Sequence, residues 1–125
     1  MNFIDGQPIF VQIAERLGDE IVSGAYPSET RVPGVREYAA LLEVNVNTVV
    51  KAYELLARQG IIFPKRGMGY YVAAEAPELV REERRRHFLQ HTLPQVFRQM
   101  RLLGIPVEDV VKAYEADSHG KEEQP

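Results

Sequence analysis

Residues 44–72 read VNVNTVVKAYELLARQGIIFPKRGMGYYV, and this stretch decides the fold. At 100° per residue, Val49, Ala52, Tyr53 and Leu56 share one helical face, while Asn47, Lys51, Glu54 and Arg58 share the opposite one. The pattern predicts an amphipathic helix from Val46 to Gln59, stopped by Gly60. Asn45 stands where a helix N-cap belongs. Two apolar, β-favouring runs follow, Ile61-Ile62-Phe63 and Tyr70-Tyr71-Val72. Between them PKRGMG supplies a basic hairpin turn with two glycines.

Working outward, a second helix is predicted from Val35 to Glu43, joined to the first by the short link Glu43-Val44-Asn45. Further upstream Phe10, Ile13, Leu17 and Ile21 fall three or four apart. They mark a helix from Pro8 to Gly24, with Pro8 suited to the first helical position and Gly24 to the stop. A connector from Tyr26 to Gly34 carries Pro27 and Pro33. Helix, helix, short turn, helix, β-hairpin is the order of a winged helix-turn-helix. The fold class is therefore mainly α with a small β-hairpin.

Beyond Ala74 the pattern changes. Residues 81–87 (REERRRH) are almost wholly charged, and a helical stripe of Leu89, Leu93, Val96, Met100 and Leu103 follows. Pro94 predicts a kink or restart within that helix. Gly104 and Pro106 end it, and a last short helix spans Val107 to Tyr114. The expected organisation is a winged domain over 1–74, a helical dimerisation region over 75–118 and a disordered tail over 119–125.

Composition bounds the function. With 125 residues, 45% apolar and 26% charged, the chain has room for one core and a small appendage, not for a large catalytic fold. There is no cysteine, so disulfide scaffolds, thiol nucleophiles and cysteine-ligated zinc are excluded. The serines are Ser23, Ser28 and Ser118 and the histidines His87, His91 and His119, which offer no evident nucleophile–base pair. An enzyme is not expected. His87 and His91 stand four apart with only Glu83 in register beside them, so neither a metal nor a cofactor is expected. No run of 18 apolar residues and no signal-like start occurs, which points to the cytoplasm and no membrane.

The central segment instead suits nucleic acid. The formal net charge is −3, yet residues 33–66 carry five basic and three acidic side chains, leaving −5 for the remainder. Asparagine pairs bidentately with adenine and lysine reaches guanine or phosphate, and a recognition helix works through its N-terminal residues. Asn47 and Lys51 are thus the candidates for base edges, and Arg36, Thr48 and Arg66 for phosphates. Lys65 and Arg66 precede Gly67 and Gly69 at the hairpin tip, which suits a narrow minor groove or its phosphates. A plainer reading also fits these residues. In it Asn45 and Thr48 only cap the helix, Lys51 is solvated, the turn is merely a turn, and Arg36 pairs with Glu37 or Glu29. The local charge surplus weighs toward DNA.

The stretches QPIFVQI (7–13), IVSG (21–24), RVPGVRE (31–37), VNVNTVVKAY (44–53) and GMGYYV (67–72) together resemble the GntR family of bacterial transcription regulators, over about residues 7–73. The short helical C-terminal part is similar to the YtrA-like subfamily, whose members dimerise through two C-terminal helices and lack a large effector domain. The resemblance places the family's motif arginine on Arg36, its recognition positions on Asn45, Asn47, Thr48 and Lys51, and its wing glycines on Gly67 and Gly69. Gly34 stands where a serine is usual, Val46 where a proline is common, and Val50 at a polar position.

Two heads related by a two-fold axis read a palindrome and double the phosphate contacts. Leu89, Leu93, Val96, Phe97, Met100 and Leu103 are the expected pairing surface. The sequence thus reads as a homodimeric DNA-binding repressor of a palindromic operator in double-stranded DNA, with any small-molecule effector unidentified. The alternatives are a winged-helix protein-interaction module, or a small-ligand sensor with its site between the C-terminal helices.

Overall fold

The computed structural model describes residues 3–117, so the expected tail over 119–125 lies outside the described residues. Six helices and one hairpin follow in the order α1 (Ile9–Ser23), α2 (Val35–Leu42), α3 (Val46–Arg58), β1 (Ile62–Lys65), β2 (Gly69–Val72), α4 (Ala76–His87), α5 (Leu93–Leu103) and α6 (Val107–Ala116). They form two compact units, Met1–Arg84 and Arg85–Pro125. Three helices followed by an antiparallel hairpin make the first unit a winged helix-turn-helix.

In the first unit, Ile13, Leu17 and Ile21 of α1 meet Tyr38 and Leu42 of α2, and Val49, Tyr53 and Leu56 of α3. The α1 and α3 residues are the apolar stripes read from the sequence, and burial of the whole set is the main stabilising term. Val32, Ile62 and Val72 close the core from the hairpin side. Pro8 is the N-cap of α1 rather than its first residue, and Gly24 ends the helix at φ 92° as a left-handed C-cap. Among the described residues of this unit Gln12 is a buried polar side chain, and both ends of its amide are hydrogen-bonded. It accepts from the Ile4 N–H at 2.9 Å and donates to the Ile4 and Gln7 carbonyls, both at 2.9 Å, fastening the segment before α1 to the helix.

Polar contacts also tie the three head helices. The Tyr38 hydroxyl donates to the Glu20 carboxylate, and the Tyr53 hydroxyl donates to the Pro33 carbonyl at 2.6 Å. The Tyr53 ring lies 6.1 Å from Tyr38 and meets Tyr70 of β2 edge-on at 5.4 Å. One aromatic chain therefore joins α2, α3 and the hairpin.

The head extends further than the sequence boundary at residue 74 implied. Ala76 and Val80 are buried in its core, and Arg84 crosses to α1, bonding the Asp19 carboxylate and the Glu15 carbonyl. Gly18 makes that crossing close, because a Cβ there would stand 2.8 Å from the Arg84 guanidinium.

In the second unit, the break expected at Pro94 takes the form of a π turn over Phe88–Thr92. A proline ring collides with the carbonyl four residues earlier, and a widened turn relieves that collision. Pro94 then sits in the first turn of α5, where its missing N–H costs nothing.

Burial holds the Tyr38 and Tyr53 phenols above the ordinary value of 10.0, and the Glu20 hydrogen bond and charge raise Tyr38 further. An unfolded chain releases these protons near pH 10 while the folded chain keeps them. Their contribution is therefore complete below that pH and is lost as pH rises beyond it. Urea unfolding followed by circular dichroism should show stability falling above about pH 10. Tyr38→Phe should be weaker than native by about 1–3 kcal/mol at neutral pH and fall less steeply in alkali. Parallel curves for the two proteins would refute the assignment.

Candidate nucleic-acid interface

The tight link between α2 and α3 fixes the presentation of α3. Glu43 ends α2 in the left-handed region at φ 58°, and the Val44 N–H returns to the Ala39 carbonyl at 3.0 Å. Asn45 then caps α3, its Oδ1 accepting from the Asn47 N–H at 2.8 Å. Its carbonyl side is committed to the cap, while the residue as a whole is exposed. Asn47 and Lys51 are exposed one turn apart, and Thr48 is half-buried between them. Val50 is half-buried too, so its methyl groups are only partly offered to solvent.

At the start of α2, Glu37 folds back to accept from the Gly34 N–H at 3.2 Å, supplying from the third residue a cap that glycine cannot. Arg36 beside it is exposed and makes no side-chain ion pair or hydrogen bond among the described residues. The pairing with Glu37 or Glu29 that would make it a plain surface charge does not form.

The hairpin pairs Ile62 with Val72, Phe63 with Tyr71, Pro64 with Tyr70 and Lys65 with Gly69. Alternation sends Ile62 and Val72 to the core and leaves Phe63, Lys65 and Tyr71 on the outer face. Lys65 lies back along that face, its Nζ 4.1 Å from the centroid of the Tyr71 ring and 5.8 Å from that of Phe63. The two expected tip cations are therefore different. Lys65 is held in a cation–π contact, whereas Arg66 stays at the exposed turn. The turn closes through the Met68 N–H to the Lys65 carbonyl at 2.9 Å, with Gly67 at φ 73° and Gly69 at φ 87°. Both conformations strongly favour glycine.

The hairpin is not alone. The connector before α2 adds an isolated bridge, Arg31 opposite Tyr71, flanked by the Glu29 N–H to the Val72 carbonyl, the Val72 N–H to the Thr30 carbonyl and the Val32 N–H to the Tyr70 carbonyl. The Arg31 Nε–H donates to the Met68 carbonyl at 3.1 Å. Sequence reading missed this residue, because a single cation in a proline-containing connector has no periodicity. Its partner lies 37 positions away, beyond any local rule.

The residues expected to pair two chains lie in the second unit. Leu89, Val96, Phe97 and Leu103 are exposed, Leu93 is half-buried, and Met100 is packed within its own chain at 9% exposure. The His87 and His91 rings stand 4.9 Å apart, but among the described residues no three histidine, cysteine or acidic side chains group to hold a metal. No described helix is long and apolar enough to cross a membrane.

Comparison with known proteins matches this geometry. Residues 10–72 fit the model of the bacterial regulatory proteins of the gntR family. The HTH-type transcriptional repressor YtrA of Bacillus subtilis strain 168 is 31% identical over 116 residues, spanning 90% of this chain and 88% of the relative. A GntR-family transcriptional regulator from Bacteroides thetaiotaomicron superposes with a TM-score of 0.76 at 40% identity, over 90% of this chain and 98% of that one. The DNA-binding domain of AraR, solved with operator ORR3, superposes with a TM-score of 0.53 at 25% identity, over 58% of this chain and 88% of that one. The chain belongs to the gntR family of bacterial regulatory proteins, with YtrA-like relatives, and is a DNA-binding transcriptional regulator rather than an enzyme.

Proposed function

We propose that the protein is a cytoplasmic homodimeric repressor that occupies a palindromic operator, placing α3 in a major groove and the β1–β2 wing in the adjacent minor groove. The observation that carries this reading is the exposed pair Asn47 and Lys51 in the first turns of α3, with Arg36 unengaged at the start of α2. These side chains have the reach and chemistry for base edges and phosphates. Asn47 and Lys51 are assigned to bases, and Arg36, Thr48 and Arg66 to phosphates. Gly67 and Gly69 let the wing backbone approach the groove. Asn45 orients the helix chiefly as its cap, and Lys65 contributes long-range charge from its seat on Tyr71.

The second unit supports a dimer. Val96 and Phe97 are 38% and 39% exposed, and Phe88, Leu89, Leu103, Val107 and Val110 are exposed with them. A unit of this size with so few buried apolar residues gains most from covering that surface with another copy of itself. Leu89, Leu93, Val96, Phe97 and Leu103 form the proposed contact, with Met100 supporting it from beneath. Repression follows physically when a promoter segment is occupied, and the repressor role named for YtrA is consistent with this assignment.

Two measurements test the reading. Lys51→Ala should weaken binding to the operator duplex by about tenfold while leaving the oligomeric state unchanged. Unaltered binding in a gel-shift titration across salt would refute the role of Lys51. In sedimentation the native protein should run at twice the 14.2 kDa chain mass, and Phe97→Asp should shift it toward one chain. A monomeric native protein at micromolar concentration would refute the dimer.

A further inference from the structure

The tip of the wing is held by a residue outside the helix-turn-helix and outside the hairpin. Arg31 is fixed through its backbone, because its neighbours Thr30 and Val32 exchange hydrogen bonds with Val72 and Tyr70 at 2.9 and 3.0 Å. Its side chain then runs to the turn, where the Nε–H meets the Met68 carbonyl at 3.1 Å. The guanidinium lies between two glycines. A Cβ at Gly69 would stand 3.1 Å from its Nε, and a Cβ at Gly34 would stand 3.7 Å from one of its amino groups. Gly69 is thus needed for its φ of 87° and for the room it leaves to this arginine. The planar group connects the amino end of α2 with the wing turn.

This position leaves chemistry unused. Arg31 is exposed, and its two amino groups make no hydrogen bond among the described residues. Lys65 has withdrawn onto Tyr71, so the tip would otherwise present Arg66 alone. Holding a guanidinium in one orientation before DNA arrives lowers the ordering cost of each contact it later makes.

We propose that Arg31 has two linked roles in operator binding: its Nε–H sets the shape of the wing turn, and its amino groups engage a backbone phosphate bordering the minor groove. It is a positioning residue for the wing and one further phosphate contact for the head. The proposal rests on the reading that the wing enters a DNA groove.

The test uses the full chain and a duplex recovered by the native protein from a random-sequence pool. Affinity is measured across salt for native, Arg31→Ala and Arg31→Lys proteins, and amide relaxation is measured at Met68 and Gly69. Arg31→Ala should bind about tenfold more weakly, with its log–log salt slope shallower by about one, and should melt as native does. Arg31→Lys should restore the slope, because the charge returns, but not the rigidity of the Met68 and Gly69 amides, because the planar donor does not. Native affinity in Arg31→Ala overturns the proposal, as does a loss of affinity with an unchanged slope or an equally rigid turn in both variants. Should Arg31→Ala fail to fold, the lysine variant alone decides through its turn rigidity. If the native protein recovers no duplex, the DNA reading itself fails, and Arg31 with it.

Discussion

The reading head depends on Tyr53. Its hydroxyl donates to the Pro33 carbonyl, and its ring is in contact with those of Tyr38 and Tyr70. One side chain thereby sets α3 against the connector, α2 and the wing. A DNA-reading head must hold a helix and a wing at a fixed separation, because adjacent grooves have fixed dimensions. A buried phenol does this better than a purely apolar residue, since its hydrogen bond gives direction to the packing. The Tyr38 bond to Glu20 extends the same fastening to α1. Asn47, Lys51 and Arg66 are thus carried on a braced frame rather than on independent loops.

Charge is arranged with similar economy. The net charge of −3 discourages indiscriminate attachment to DNA, while the segment from α2 to the wing is locally positive. Arg36 forms no pair with Glu37, since side chains adjacent in a helix do not face each other, and the Glu37 carboxylate turns back to the Gly34 N–H. Arg84, by contrast, is engaged by the Asp19 carboxylate and the Glu15 carbonyl, where it secures the later part of α4 to α1. Similar side chains are thus committed to the fold or left free at the surface according to which acceptor stands within reach.

The parts of the fold legible in the sequence were those governed by local rules. The α3 stripe of Val49, Ala52, Tyr53 and Leu56 follows helical spacing, and the Gly67–Gly69 turn separates two β-favouring runs. The caps at Gly24 and Asn45 obey residue preferences that act over a few positions. What escaped notice was non-local. Arg31 joins the wing by pairing with Tyr71, 40 residues on, and Arg84 reaches back to Asp19 across 65. Lys65 was recognised as a tip cation, but nothing in PKRGMG indicates that it lies back over Tyr71. That contact follows only once the hairpin register places Phe63 and Tyr71 on one face. At Pro94 the sequence called for a break, and the π turn before it is the form the break takes.

The central claim is that two such heads read one symmetric site. Selection of bound sequences from a pool of random duplexes tests it most directly. A two-fold dimer with α3 in the major groove predicts an inverted repeat whose half-site centres stand about one helical turn, or a whole multiple of it, apart. Recovery of a single unrepeated half-site, or of no enriched sequence, would contradict it.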